Sequence, residues 1–252
     1  MRKVIIIIAS LMLAAGIVIL LFEPVSTSVN KQKSEKITEE FEETLKQIEK
    51  ASKSKTNKKN VAAQNSGSSS YTPPTKEQLD RLLKDSKKYN KSLISNQGTV
   101  STSNYASAAL NLRNYGIYNN MYGYISAPSI GMKLPIYLGA NENMMKSGAA
   151  HLDNTSLPIK GKSVNCAIAG HTGYMGRVFF DNIKRLGIGS EVSVRNYWGK
   201  LNYKVIKTHR VSSDNTEDIP IRQNRQLLTL ITCIYREKNE FDRYIVICEK
   251  QS

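Results

Sequence analysis

A thiol, an imidazole and a guanidinium are the groups in this chain that together could attack a carbonyl and expel an amine. Cys233 ends the apolar run Leu227–Thr232, Arg243 precedes the apolar run Tyr244–Cys248, and a polar, charged loop joins the two. Runs of this length joined by such a loop predict neighbouring antiparallel strands. Paired that way, the thiol and the guanidinium meet at one end of a sheet. The chain has three histidines, and one of them, His171, also follows an apolar run, Val164–Ala169. The chemistry needs these three types. A cysteine attacks a carbonyl as the thiolate. A histidine can take that proton and later give one to the leaving amine. An arginine, always charged, can steady an oxyanion or orient a peptide. Taken singly, a cysteine ending a strand is more often packing, a histidine after glycine a loop residue, and an arginine opening a strand a solvated charge. Their joint placement carries the reading.

The other reactive side chains weigh less. Cys166 and Cys248 lie inside apolar runs and read as buried small hydrophobes. A disulfide between them stays open, and an odd count of three leaves at least one thiol unpaired in an exported chain. No C-x-x-C spacing occurs, which argues against a structural zinc site. His151 reads as packing or a loop hydrogen bond, and His209 as structural or exposed. Arg236 is the rival to Arg243 but falls three residues after Cys233, inside the loop. Asp181 reads as a helix-surface residue. Asp153, Asp214, Glu217 and Asp218 are the carboxylates a calcium ion would use, against the plainer reading of scattered loop charges; no cofactor and no metal are expected. The loop over residues 208–222 precedes the cysteine strand and is a candidate specificity element.

These groups need a scaffold to hold them. Val4–Phe22 is nineteen residues without a charge, long enough to span a bilayer as a helix. Arg2 and Lys3 precede it, which predicts a cytoplasmic tip over residues 1–3 and everything after the anchor outside, a single pass through the cell membrane. The competing reading, a cleaved signal peptide, has a poor cleavage site around Leu20–Val25. Residues 23–74 read as stalk and linker. Within them Ile37, Phe41, Leu45 and Ile48 fall at helical spacing and predict a helix over about 34–50, read as a solvated stalk rather than a self-associating one. Ala51–Ser70 is rich in Lys, Asn, Ser and Gly and cannot bury enough surface to order itself.

The folded domain is placed at 75–252, of ordinary single-domain size. It opens with a helix over Lys76–Leu93, N-capped by Thr75, followed by a loop over Ile94–Thr102. Short apolar runs then alternate with turns: Tyr122–Ala127, Leu134–Leu138, Val164–Ala169, Glu191–Val194, Leu201–His209, Leu227–Thr232 and Tyr244–Cys248. Their β-branched and aromatic residues favour strands. Helical insertions are expected at Glu142–Ser147 and Arg177–Leu186. The whole reads as a mostly-β domain, a closed or nearly closed barrel with short helices. The net charge of +15 implies an anionic neighbourhood such as membrane headgroups or wall polymers. No RNA-binding signature or zinc-finger spacing is present, so nucleic acid is not an expected partner.

The residues Thr229-Leu-Ile-Thr-Cys233 with the following Arg243, and Ala169-Gly-His171 upstream, resemble the sortase family of cysteine transpeptidases. The stretches Lys146–Pro158 and Phe179–Leu186 are also similar to sortases, particularly the pilus-assembling class C. The resemblance covers about Tyr122 to Cys248, half the chain. It implies an eight-stranded sortase-type β-barrel, a Gram-positive envelope and recognition of an LPxTG-like sorting signal on a secreted protein. Cys233 would attack the Thr–Gly carbonyl, with His171 as acid and base and Arg243 steadying the oxyanion or the substrate. Thr232 would contact the sorting peptide, and the backbone N–H of Ile234 would add to the oxyanion hole. The acceptor would be an amine, from a pilin lysine or a peptidoglycan precursor. No Asp-Pro dipeptide occurs, so the lid motif usual in class C is missing. The alternative of a different class is a non-catalytic, basic module that binds the cell envelope.

Overall fold

The computed structural model describes residues 2–54, 72–97, 107–174, 178–237 and 240–251; within the first helix the side chains of residues 2, 4, 5, 9, 18–24 and 54 lie outside the described set. Three α-helices occur among these residues, α1 (Arg2–Ser54), α2 (Lys76–Asn96) and α3 (Glu142–Met145). The strands are β1 (Met121–Ala127), β2 (Met132–Leu138), β3 (Ala149–His151), β4 (Val164–Ala169), β5 (Glu191–Asn196), β6 (Gly199–Val211), β7 (Gln226–Tyr235) and β8 (Phe241–Lys250). They close a barrel in the order β1-β2-β3-β4-β7-β8-β6-β5. Two neighbouring pairs, β2–β3 and β4–β7, are parallel; the other pairs are antiparallel.

Alternation along each strand sorts the side chains between two layers. Ile125, Ile136, Ile168, Val194, Leu228, Leu230 and Val246 fill the interior. Phe179, Phe180, Ile183 and Leu186 plug one end of it. Cys166 and Cys248 lie in this interior as free thiols, and burial pushes Cys248 up to about 12 and Cys166 higher still. The outer face of β4, β7 and β8 carries a second layer, in which Ala167, Ile231, Ile245 and Ile247 are roofed by Leu152 and Ile219.

Three elements differ from the sequence reading. The strand β3, Ala-Ala-His, has little intrinsic strand preference and exists through its pairing with β2 and β4. The helix expected over Arg177–Leu186 is reduced to a single 3-10 turn, Ile183–Arg185, because the Phe179–Phe180 pair is drawn into the barrel end; Arg177 lies outside the described residues. The helix expected over 34–50 is part of α1, and it is not a solvated stalk. Its apolar face lies on the barrel: Phe41 is buried among Tyr122, Tyr197 and Leu138, with Ile37, Leu45 and Ile48 against the same cluster. Phe41 meets the Tyr197 ring edge-on at 4.9 Å. Next to it, the Glu42 carboxylate accepts from the Tyr124 hydroxyl at 2.8 Å and from Arg195 Nε at 3.1 Å. Burial works against the charged form of Glu42, but those two bonds outweigh it and hold its carboxyl below the usual range. The spacing of apolar residues marked the helix correctly; what it could not show is that the barrel offers that face a partner. Truncating Phe41 to alanine should lower the unfolding free energy by about 3 kcal/mol, read as a drop in the urea midpoint.

The α2 helix begins as its sequence predicts, with a Thr75–Gln78 capping box, and runs three residues beyond the expected end. Leu79 and Leu82 join the cluster around Phe41. Tyr89 donates to Asp153 at 3.1 Å. Residues 98–106, where the expected loop falls, lie outside the described residues.

Candidate active site

Two of the three proposed reactive residues stand on adjacent strands, Cys233 on β7 and Arg243 on β8, and His171 follows β4, the other neighbour of β7. Cys233 on β7 is the register partner of Arg243 on β8. β4 runs parallel to β7 with Ala169 opposite Ile231, and the Gly170 N–H continues the ladder to the Ile231 carbonyl at 3.1 Å. Two residues further along, His171 is level with Cys233. Strand alternation places Cys233 on the same face as Ile231, and Arg243 on the same face as Ile245. The site is therefore the exposed continuation of the outer apolar layer, and Cys233 is solvent-exposed.

The segment after β4 holds the imidazole. Its carbonyl accepts from the Phe180 N–H at 2.9 Å, and its ring stacks on Tyr174 with centroids 4.8 Å apart. Asp181 is not on a helix surface: its carboxylate closes the loop, accepting from the N–H of Gly173 at 2.7 Å and of Phe179 at 2.9 Å. Thr232, expected to touch the sorting peptide, is buried on the opposite face from Cys233, as alternation requires. Its hydroxyl donates to the Gly170 carbonyl at 2.7 Å and lies 2.6 Å from the Thr172 hydroxyl, so it ties β7 to the histidine loop. Ile234 stands opposite Asp242 in the ladder.

Burial lowers the His171 pKa; the Lys146 charge lowers it further, and Glu142 pulls the other way. Neutral imidazole is thus favoured down to lower pH than for an ordinary histidine. Lys146 and Glu142 are themselves an ion pair on α3 and the residue after it. Removing the cation should raise the His171 midpoint in Lys146→Met, and removing the anion should lower it in Glu142→Gln. An NMR titration of the ring reads both shifts, and the acid limb of kcat/KM should follow in the same directions.

Arg243 stands between Cys233 on β7 and Val211 on β6. It is close enough to Asp214 that its charge is one of the influences lowering that carboxyl, behind the Ser212 hydroxyl bond and the Asp214 backbone bond. Arg236 is placed differently, exposed in the loop beside Glu240 at 3.8 Å and Asp242 at 3.7 Å.

The remaining candidates are occupied elsewhere. His151 is fully buried, with Nε2 at 3.1 Å from the carbonyls of both Thr155 and Ser156, and burial pushes its pKa down to about 4. His209 Nε2 lies 2.6 Å from Asp218, which Lys207 and Arg222 also approach at 3.5 and 3.1 Å. Asp153 accepts from Tyr89 and from the Asn154 N–H. Among the described residues no group of three or more His, Cys, Asp or Glu could hold a metal ion.

The loop ahead of β7 packs over the outer apolar layer through Ile219. Asn165, buried on β4, donates to the carbonyls of Asp218 at 2.8 Å and Ile219 at 3.0 Å. Gln97, the C-cap of α2, accepts from the Ile221 N–H at 2.7 Å and donates to the Asn154 carbonyl at 3.1 Å. Sequence reasoning missed Tyr174, Lys146 and Glu142 as neighbours of the imidazole; the first is three residues from His171, and the other two fall at helical i, i+4 spacing.

A family model for the sortase domain matches residues 125–251. The chain belongs to the sortase family, a family of cysteine transpeptidases. Sortase A of Bacillus anthracis is 31% identical over 124 residues, which are 49% of this chain and 57% of that protein. The match thus spans little more than half of that relative. Among solved structures, a pilus-related sortase C of Group B Streptococcus is 29% identical with a TM-score of 0.61, over 71% of this chain and 91% of its own. Streptococcus agalactiae sortase C1, in complex with MTSET, is 25% identical with a TM-score of 0.62, over 70% of this chain and 90% of its own.

Proposed function

We propose that this protein is a membrane-anchored sortase that cleaves an LPxTG-like signal between Thr and Gly and joins the new acyl end to an amine. The observation that supports the reading is the pairing of Cys233 with Arg243 across β7 and β8, with His171 two residues beyond the Ala169–Ile231 pair of β4 and β7. The Cys233 thiolate adds to the threonine carbonyl carbon. Arg243 and the N–H of Ile234 face the oxyanion that forms. The C–N bond then breaks, His171 protonates the leaving glycine amine, and a thioester remains on Cys233. The incoming amine gives a proton to His171, attacks the thioester and releases the thiolate, leaving a new amide. Pilin lysine and peptidoglycan precursor both supply such an amine, and class C structural relatives favour the first.

The anchor is proposed at Val4–Phe22, with residues 1–3 inside and the barrel outside. No helix among the described residues is long and apolar enough to cross a membrane, several side chains of that segment lying outside them. What supports the anchor is composition together with exposure. Within α1, Ile6, Ile7, Ile8, Leu11, Met12, Leu13 and Ile17 all present their side chains outward with no protein partner. Since Phe41 packs on the barrel from outside, the boundary proposed at residue 75 serves the β-domain but leaves out a helix it packs against.

The test is a soluble chain beginning near residue 27, incubated with a panel of quenched LPxTG-type peptides and read by intact mass. An adduct on Cys233 that is absent from Cys233→Ala is the expected result. A folded protein that forms no adduct with any peptide, and whose Cys233 ignores a thiol-reactive probe, would sink the enzymatic reading in favour of an envelope-binding module.

A further inference from the structure

The direction of α1 along the barrel has a consequence for where the catalytic rim points. The ends of β1, β4 and β7, and the starts of β2, β5 and β8, lie at one end of the barrel; this is the end that carries Cys233 and His171. At its C-terminal half α1 meets the other end, where Phe41 packs on Tyr197 in the β5–β6 turn. At Thr27, Lys31 and Ser34 it flanks a groove with Ile130, Gly131, Met132 and Phe179, all at the catalytic end. Followed toward its N-terminus, α1 therefore leaves the barrel from the catalytic end.

The distance is short. Phe22, the last residue of the apolar run, is five residues before Thr27, about 8 Å of helix. The polar headgroup layer on one side of a bilayer is itself about 6 Å thick. Pro24 lies in this interval and has no N–H for the helix ladder, so the tilt can adjust there. A kink changes the angle of the barrel but not the end from which the helix leaves.

The surface of this end suits a lipid interface. Ile188, in the loop before β5, is 79% exposed; Tyr235 and Phe241, flanking the β7–β8 loop, are 62% and 52% exposed. Val25 and Val29 of α1 are also exposed. Lys184 and Arg185, beside Ile188, are exposed cations, as is Lys31 of α1. Apolar and aromatic tips interleaved with lysine and arginine are what an anionic headgroup layer takes up.

We propose that the sortase barrel stands with its catalytic rim against the outer surface of the membrane that its own α1 enters, seated there by Ile188, Tyr235, Phe241 and the adjoining cations. This rests on the anchor proposed above. The site then opens onto the headgroup layer and fits acyl donors and amine acceptors tethered close to the bilayer, rather than freely diffusing ones.

The test uses the full chain reconstituted in vesicles of phosphatidylcholine and phosphatidylglycerol brominated on the upper acyl chain. Trp198, the sole tryptophan, lies in the β5–β6 turn at the far end and reports on that end in the unaltered protein. Ile188→Trp and, separately, Tyr235→Trp, each in a Trp198→Phe background, report on the rim. The expected result is flotation with the vesicles, loss of most emission at positions 188 and 235, and no loss at Trp198. Flotation without quenching at either rim position, or with quenching at Trp198 instead, overturns the orientation and leaves the anchor standing. Failure to float overturns the anchor and the orientation with it.

Discussion

Replacing Arg243 with lysine should cut kcat/KM for acyl-enzyme formation by about two to three orders of magnitude while leaving thermal stability little changed. The size follows from losing one preorganised donor to a developing oxyanion. Lysine keeps the charge but loses the planar fork, so it cannot hold a carbonyl oxygen in the same way. Stability should hold because Arg243 is half-buried and belongs to neither apolar layer, and lysine keeps its stem and charge. The control is Arg236→Ala. Arg236 faces Glu240 and Asp242 in the exposed β7–β8 loop, and such surface pairs are worth less than about 1 kcal/mol. Its loss should leave the acylation rate close to that of the unaltered protein. Burst-phase measurement on a reactive sorting peptide separates the two. Equal losses in both variants, or a loss in Arg236→Ala alone, would remove Arg243 from the role proposed for it.

The second large effect is expected at Gly170. A Cβ there would stand 2.5 Å from Cγ of Phe180 and within 2.9 Å of both Cδ atoms. Phe180 has no room to yield, being fully buried in the plug at the barrel end. The backbone has little room either. Gly170 is bonded through its N–H to Ile231 and through its carbonyl to Thr232, and the next residue is His171. Gly170→Ala should therefore cost about 2–3 kcal/mol of stability through overpacking. The displacement it forces on the imidazole should slow acylation by about a hundredfold even at temperatures where the variant is folded. Adding Phe180→Leu should recover part of both losses, and a double-mutant cycle measures the coupling. Independent, additive effects would mean that the ring does not set the position of the histidine.

The barrel was legible where a strand buries one or both faces. Val164–Ala169 has the expected bounds, and the other apolar runs are each extended by a few residues at their ends. Some of those added residues, among them Gly199, Tyr235 and Phe241, are half-buried or exposed, so they carry no burial signal and are held by ladder bonds. β3 escaped for another reason: it is buried, but three residues of Ala-Ala-His carry little strand preference. The site was legible in part: Cys233 and Arg243, each near a strand end, are register partners, and His171 follows the strand on the other side of β7. Its supports were not. The resemblance makes Thr232 a substrate contact, yet its place next to Cys233 along the strand turns its side chain to the other, buried face. Asp181 was assigned to a helix that the burial of Phe179 and Phe180 prevents from forming. The partner of the amphipathic α1 face was invisible because Tyr122, Tyr124 and Tyr197, which receive Phe41, are far from it along the chain.

The parallel pairing of β4 with β7 also governs when reactivity arises. Thr232 and Gly170, whose bond locks the two strands at the rim, are 62 positions apart. Contacts this remote form late, because the closure entropy of the intervening chain opposes them until the rest of the sheet is in place. A growing or unfolded chain carries the Cys233 thiol with no imidazole at its side and no guanidinium across from it. On the mechanism proposed above, the nucleophile is armed by barrel closure itself, and a partly folded molecule would be silent toward the sorting signals of its neighbours.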